Sequence, residues 1–166
     1  KSLLDKKKAE GRGLEERLIW HIFFQLCNGL KHLHENGIVH RDLKTMNVMI
    51  VQDERRFIVK IADLGVSRQI SEDTMMLQTF YGTPLYLSPE LVENKAYNEK
   101  TDIWSLGIIL YELCSMKHPF MSNTLIGLAK RIVAGAYEPI PREYSHNLSR
   151  CLKWMLKPEF GKRPNC

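Results

Sequence analysis

One stretch of this chain is apolar almost all round, and it constrains the fold more than any other feature. It covers residues 101–115 and is too long for a typical strand. A helix with this pattern has to be buried by other elements packed about it. Its longest apolar stretch, residues 103–113, carries Ser105 and is about half the length needed to span a bilayer. The sequence therefore predicts a mainly helical fold that buries this segment.

The remaining elements follow from periodicity and from turn residues. Apolar residues at helical spacing predict a long helix over residues 14–36, ended by Asn36 and Gly37 because glycine tolerates the left-handed conformation. Two β-prone runs, 48–51 and 57–61, flank a polar segment and predict a hairpin. Two amphipathic helices are expected over residues 122–134 and 145–156. The predicted fold class is mainly α with a small β-hairpin element.

Length, charge and cysteine spacing narrow the class of protein. The 166 residues suit one domain, and 24 Lys and Arg against 19 Asp and Glu give a net charge of +5. This mild excess suits a phosphate-bearing ligand but does not require nucleic acid, and we expect neither a nucleic-acid nor a membrane partner. The four cysteines form no C-x-x-C pair, and no signal peptide opens the chain. We expect an intracellular, cytoplasmic protein.

The residues that carry chemistry lie in two short runs. H-R-D-L-K-T-M-N occupies positions 40–47, and D-L-G occupies positions 63–65. Asp63 and the side-chain oxygen of Asn47 are hard ligands suited to Mg²⁺, which completes its shell with water and phosphate. Lys44 can neutralise charge on a transferring phosphoryl group, and Asp42 can orient a hydroxyl and accept its proton. The alternative is a polar turn on the surface of an α/β domain.

The order H-R-D-L-x-x-x-N followed by D-x-G is similar to the protein-kinase signature, with Leu64 where Phe is usual. The strings G-T-P at 82–84 and S-P-E at 88–90 resemble the end of an activation segment. Residues 101–107, T-D-I-W-S-L-G, resemble the central helix of the C-terminal lobe. Lys44 and Thr83 are what serine/threonine kinases carry at these positions. Leu64 and the string Y-N-E-K-T-D-I-W at 97–104 resemble the NIMA-related kinases.

This resemblance implies an organisation for the whole chain. Residues 1–166 would form a partial kinase domain, the C-terminal lobe of the protein-kinase fold. Its parts would be the long helix 14–36, the catalytic loop 40–47, the activation segment 63–90 and a helical subdomain 101–166. The reaction implied is transfer of phosphate from ATP, with Mg²⁺, to Ser or Thr of protein substrates. A link to the cell cycle, or to cilia and microtubules, is also implied, which adds the cytoskeleton and the nucleus as cellular addresses.

The resemblance also assigns roles around the phosphate. Asp42 would be the catalytic base, and Lys44 would steady the γ-phosphate. Asn47 and Asp63 would hold Mg²⁺, and Met49 would lie under the adenine. These five positions are the expected catalytic, cofactor-binding and metal-binding residues.

Further positions would support this site. Thr83 would contact the catalytic loop and help to recognise the acceptor residue. His40 and Leu64 would stack in the hydrophobic column that joins the two kinase lobes, and Gly65 is the structural glycine of the same triplet. Asp102 would tie the backbone of the catalytic loop to the helix beneath it.

Two more positions would form an ion pair across the lobe. By the resemblance, Arg163 pairs with Glu90 at the end of the activation segment. For this pair, as for the supporting residues, simple core packing is the alternative interpretation.

Regulation is expected between D-L-G and S-P-E, where Ser71, Thr74 and Thr79 lie. Thr79 precedes Thr83 by four residues and matches the usual phosphosite of the resembled family. Phosphate there adds nearly two negative charges and could pair with Arg41, which would order the loop. An ordinary loop threonine is the alternative.

The chain carries no glycine-rich phosphate loop and no V-A-I-K lysine. We therefore expect a kinase fragment without the N-terminal lobe. That lobe would be a partner in cis, on the same polypeptide. The 166 residues alone are expected to bind ATP negligibly and to be inactive, because the absent lobe covers the phosphate site. Two other classes stay open: a pseudokinase or scaffold, and an interaction module in which these motifs are coincidental.

Two histidines on the long helix could suggest a metal site. His32 and His34 stand two positions apart, so they face away from each other and make a poor pair of ligands. No metal role is predicted for them.

Overall fold

The apolar segment that dominates the sequence is a buried helix in the structure. A computed structural model describes residues 13–53, 56–63, 84–96 and 98–166. Within these residues the α-helices are α1 Glu16–Glu35, α2 Pro89–Val92, α3 Lys100–Ser115, α4 Leu125–Ala134 and α5 His146–Met155. The strands are β1 Val48–Asp53 and β2 Arg56–Ile61, and short 3₁₀ turns cover Thr45–Asn47, Pro84–Tyr86 and Phe160–Lys162.

Helix α3 forms the centre of the core. Trp104, Leu106, Ile108 and Leu110 on this helix have no solvent exposure, although they point in different directions round its axis. Helices α1 and α5 pack against it. The Trp104 ring stacks on Phe120, with ring centroids 5.3 Å apart. The predicted mainly helical fold with a buried central helix is confirmed.

Helix α1 covers one side of α3 with a single apolar face. Ile19, Ile22, Leu26 and Leu30 recur at spacings of three and four residues, and each is at most 1% exposed. The helix ends at Glu35, and Gly37 follows with φ of 71°. That left-handed conformation favours glycine and turns the chain toward the catalytic loop.

One glutamine of α1 makes hydrogen bonds to the β-hairpin. Strands β1 and β2 pair antiparallel, from Val48 opposite Ile61 to Asp53 opposite Arg56. Gln25 of α1 donates to the Phe57 carbonyl at 3.1 Å and accepts from the Val59 amide at 2.9 Å. These two bonds satisfy backbone groups on the open edge of β2.

Hydroxyl caps set where the last two helices begin. The Thr124 side chain accepts from the Gly127 amide, and the Ser145 side chain accepts from the Leu148 amide. Helix α4 therefore starts at Leu125, later than the sequence pattern predicts. Glu16 at the start of α1 accepts from the Ser145 amide at 2.7 Å and so joins the beginnings of α1 and α5. No helix in the described part of the chain is long and apolar enough to cross a membrane.

Candidate active site

The loop between α1 and β1 folds back on itself around Asp42. The Asn47 side-chain amide donates to the Asp42 carbonyl at 2.8 Å, and the Asp42 amide donates to His40 Nδ1 at 3.3 Å. Arg41 has φ of 68°, in the left-handed region that side chains disfavour. Such strained residues persist where the surroundings hold them, and they cluster at active sites.

The Asp42 carboxylate has one occupied and one available oxygen. Lys44 Nζ donates to its Oδ2 at 2.6 Å, and Asn47 Nδ2 lies 3.3 Å from the same atom. Within the described residues, Oδ1 has no hydrogen-bond partner. The side chains of Asp42 and Lys44 are 27% and 30% exposed, so this pair is open to a ligand.

The end of β2 brings a second carboxylate to this loop. The Ala62 amide donates to the Asn47 carbonyl at 2.8 Å, and the His40 ring donates from Nε2 to the Ala62 carbonyl at 3.2 Å. Asp63 follows directly, is exposed, and has φ of 62°. These contacts anchor the residue before Asp63 to the catalytic loop.

A buried aspartate on α3 holds the same loop from below. Asp102 has no solvent exposure, and its two oxygens accept from the backbone amides of His40 at 2.9 Å and Arg41 at 2.8 Å. His34 of α1 adds a third contact, with Nε2 2.9 Å from Asp102 Oδ2. Hydrogen bonds to a charged acceptor in a buried setting are stronger than neutral ones, which explains how the strained loop is held.

A second buried charge joins the segment 88–92 to the C-terminal part of the chain. Arg163 donates through both terminal nitrogens to Glu90, each at 2.7 Å, and the two side chains are almost fully buried. Burial raises the pKa of Glu90, but the hydrogen bonds and charge of Arg163 outweigh it and leave the pKa below the usual value. The pair links residues that are 73 positions apart.

Comparison with known proteins decides the family. The family model described as protein kinase domain matches residues 1–166. The chain belongs to this family. The serine/threonine-protein kinase Nek3 of Mus musculus is 41% identical over 159 residues, covering 96% of this chain and 30% of that protein. Nek1 of Mus musculus is 38% identical over 94% of the chain and 13% of that protein, and Nek8 of Danio rerio is 44% identical over 91% and 21%.

These relatives confirm the resemblance to NIMA-related serine/threonine kinases. The kinase chain spans only about a third or less of the length of these relatives. The activity and substrates of the whole protein are therefore treated below as proposals.

The structure brings together some of the predicted kinase site residues. Hydrogen bonds join His40, Asp42, Lys44 and Asn47 into one cluster. Asp63 follows Ala62, whose amide donates to the Asn47 carbonyl. Met49 lies on β1 and is 56% exposed. Asp102 contacts the backbone of this loop at His40 and Arg41, and Glu90 pairs with Arg163, as described above. The remaining predicted positions lie outside the described residues; they are Leu64, Gly65, Ser71, Thr74, Thr79 and Thr83. Their assigned roles stay predictions.

Sequence reasoning missed a set of polar residues that adjoin the catalytic loop. Thr45 Oγ1 lies 2.9 Å from the Tyr86 hydroxyl, and Tyr86 donates to Glu112 Oε2 at 2.6 Å. Burial raises the pKa of Glu112 to about 7, although its bond to Tyr86 acts in the opposite direction. One signal was available: Glu112 is a charged residue within the otherwise apolar run of α3. Nothing in the sequence pointed to Thr45.

Proposed function

We propose that the complete protein transfers the γ-phosphoryl group of MgATP to Ser or Thr side chains of proteins. The observation that carries this proposal is the cluster around Asp42: a carboxylate with one available oxygen, a lysine 2.6 Å from the other, and an asparagine bonded to the same residue. The protein-kinase family and its serine/threonine-kinase relatives support the same reaction class.

The residues present fit Mg²⁺ bound with a nucleotide. Both bonds of the Asn47 side chain come from its Nδ2, which leaves Oδ1 as a hard oxygen ligand. Asp63 offers an exposed carboxylate and directly follows Ala62, whose amide is bonded to the Asn47 carbonyl. No group of three or more His, Cys, Asp and Glu suited to a metal occurs in the described residues. Mg²⁺ needs only a few ligands from the protein, because it keeps several waters and is bound largely through substrate phosphates.

The roles of the side chains follow from these contacts. Bound MgATP supplies the phosphoryl group and the metal charge that neutralises the phosphate oxygens. Asp42 Oδ1 accepts the hydrogen bond of the acceptor hydroxyl, orients its oxygen, and takes its proton as the new O–P bond forms. The bond between the γ-phosphorus and the β–γ bridging oxygen of ATP breaks in the same step, and ADP leaves. Lys44 brings a positive charge beside Asp42 and can turn toward the phosphate. Asn47 holds the loop closed through the Asp42 carbonyl.

The test uses the purified complete protein, MgATP labelled in the γ-phosphate, and a degenerate library of Ser- and Thr-containing peptides. Asp42→Asn keeps the shape of the side chain but removes the base, so we expect the rate of transfer to fall at least about 100-fold. Magnesium-dependent nucleotide binding should persist in Asp42→Asn. Asp63→Asn should lose it, because a metal ligand has gone.

Glu93→Gln is the matched control, because it removes an exposed carboxylate that pairs only with Lys95 among the described residues. Its transfer rate should equal that of the wild type. If the wild-type protein binds nucleotide but transfers no phosphate, the proposed kinase activity is wrong and a pseudokinase scaffold is the better interpretation. Transfer that survives Asp42→Asn would reject Asp42 as the base.

Three further statements belong to the same proposal. We infer an intracellular address, which is supported by four free cysteines. Partners are protein substrates with Ser or Thr acceptors. Regulation by phosphate on Thr79, paired with Arg41, and a role in the cell cycle or at cilia and microtubules stay predictions.

A further inference from the structure

Three side chains form a relay of hydrogen bonds beside the catalytic loop. The Tyr86 hydroxyl has a single hydrogen, and it is donated to Glu112 Oε2 at 2.6 Å. The contact between Thr45 Oγ1 and the Tyr86 oxygen, at 2.9 Å, must then be donated by Thr45. The relay therefore runs in one direction, from Thr45 through Tyr86 to the Glu112 carboxylate.

The three members of the relay come from three separate parts of the chain. Thr45 opens the 3₁₀ turn between Lys44 and Asn47, two residues of the proposed catalytic machinery. Tyr86 closes the 3₁₀ turn Pro84–Tyr86, and its carbonyl accepts from Ser105 Oγ on α3 at 3.2 Å. Glu112 lies in the last turn of α3. Tyr86 is therefore the middle member of the relay and connects the catalytic loop to α3.

The relay lies in partly buried surroundings, which strengthen its hydrogen bonds. Tyr86 is half-buried, and its ring packs edge-on against His118, with centroids 5.3 Å apart. Thr45, Glu112 and His118 line the wall of a mainly apolar cavity of about 620 Å³. In a setting of low polarity a hydrogen bond is stronger, and its members reinforce one another along a chain.

We propose that Thr45 and Tyr86 are positioning residues for phosphoryl transfer. The relay holds the turn Thr45–Asn47 against α3, so that Lys44 and Asn47, on either side of Thr45, stay in register with Asp42. This inference rests on the proposed kinase function. It adds to that function a physical connection between the catalytic loop and the C-terminal end of the activation segment 63–90, where Tyr86 lies.

The test compares four variants of the complete protein with the wild type. Tyr86→Phe removes both hydrogen bonds but keeps the ring on His118, and Thr45→Val removes only the donor. We expect Tyr86→Phe to lower kcat about tenfold and Thr45→Val about three- to tenfold, with little change in the KM for ATP. The double variant should fall within about twofold of Tyr86→Phe, because both changes break one relay. Tyr144→Phe is the control, since its hydroxyl donates to the Leu14 carbonyl at 3.0 Å, outside the relay.

Replacements of Glu112 separate a positioning role from a purely structural one. Glu112→Gln keeps an acceptor for Tyr86 and should retain most of kcat, whereas Glu112→Leu should resemble Tyr86→Phe. If Glu112→Gln and Glu112→Leu lose activity equally, the relay is not what Glu112 contributes. A kcat for Tyr86→Phe within twofold of the wild type would overturn the proposal. So would effects of Thr45→Val and Tyr86→Phe that multiply in the double variant.

A second measurement does not depend on activity. Hydrogen exchange of the backbone amides of residues 45–47 should be faster in Tyr86→Phe and Thr45→Val than in the wild type and in Tyr144→Phe. An inactive wild type would defeat the proposed function but leave this measurement valid. Unchanged exchange in Tyr86→Phe would defeat the relay, even in an active kinase.

Discussion

At the scale of single residues, Glu112 lowers the stability of the fold when it is charged, but it accepts the hydrogen bond of Tyr86. It interrupts the apolar run of α3, and burial raises its pKa to about 7 from the usual value of 4.5. Between these two values the folded protein holds a proton that the unfolded chain releases. The free energy of unfolding therefore falls as the pH rises through this window, and the full cost is present above about pH 7. The other titratable groups on the wall of the same cavity are Lys117, Arg131, Glu138 and His118; burial lowers the pKa of His118 to about 4, so its ring is neutral over most of this window.

We predict that Glu112→Gln removes this pH dependence. Relative to the wild type, the free energy of unfolding of Glu112→Gln should rise by about 2–3 kcal/mol between pH 5 and pH 8. Urea denaturation of the kinase domain at both pH values measures the change. Glu138→Gln is the control, because it removes an exposed carboxylate from the rim of the same cavity. An equal response of both variants would contradict the burial of the Glu112 charge.

At the scale of elements, the ends of the helices depend on individual residues. The Thr124 hydroxyl accepts from the Gly127 amide at 3.0 Å and begins α4. Gly37 after α1 and Gly135 after α4 adopt φ of 71° and 60°, a conformation that costs other residues about 1 kcal/mol or more. Only the second glycine is also packed closely: a Cβ on Gly135 would lie 2.8 Å from Pro158 Cγ, whereas one on Gly37 would contact nothing within 4 Å.

These two glycines make a matched pair for measurement. Gly37→Ala should lower the free energy of unfolding by about 1 kcal/mol, from backbone strain alone. Gly135→Ala should cost about 2–4 kcal/mol, because overpacking against Pro158 adds to the same strain. Chemical denaturation of the two variants gives both values. Equal costs would mean that the loop containing Pro158 yields freely to a larger residue.

At the scale of the whole molecule, the Glu90–Arg163 pair joins distant parts of the fold. Besides the two bonds to Glu90, Arg163 donates to the carbonyls of Lys157, Pro158 and Lys100. Its guanidinium carbon also lies 5.0 Å from the centre of the Trp104 ring. Helix α2, helix α3 and the C-terminal segment therefore all depend on this one side chain.

Arg163→Met should lower the free energy of unfolding by about 3–5 kcal/mol, because it leaves Glu90 charged, buried and unpaired. The double change Glu90→Leu with Arg163→Met should be less harmful than Arg163→Met alone, since it removes the stranded charge. Lys162→Met is the control: its ion pair with Glu159 has an N–O distance of 2.8 Å but is exposed, and should contribute at most about 1 kcal/mol. Thermal denaturation at neutral pH measures all three. Similar losses for Arg163→Met and Lys162→Met would contradict this argument.

The sequence by itself determined the kinds of elements and much of the chemistry of the candidate site. The all-round apolarity of residues 101–115 and the helical spacing from Leu14 to Leu33 predicted the two main helices, because periodicity reflects burial directly. The β-prone runs predicted the hairpin for the same reason. Asp42, Lys44 and Asn47 lie within six positions of one another, so their grouping could also be predicted from local spacing.

The resemblance implied the contact between Asp102 and the catalytic loop, but only the tertiary structure decided the other distant residues that hold this loop. His34 and Asp102 are 68 positions apart, Thr45 and Tyr86 are 41 apart, and Tyr86 and Glu112 are 26 apart. In a linear sequence no periodicity marks such partners, because a hydrogen bond depends on how the helices pack and not on the spacing of residues. The sequence therefore predicted the residues that would act on phosphate. Packing around α3 decided how they are held.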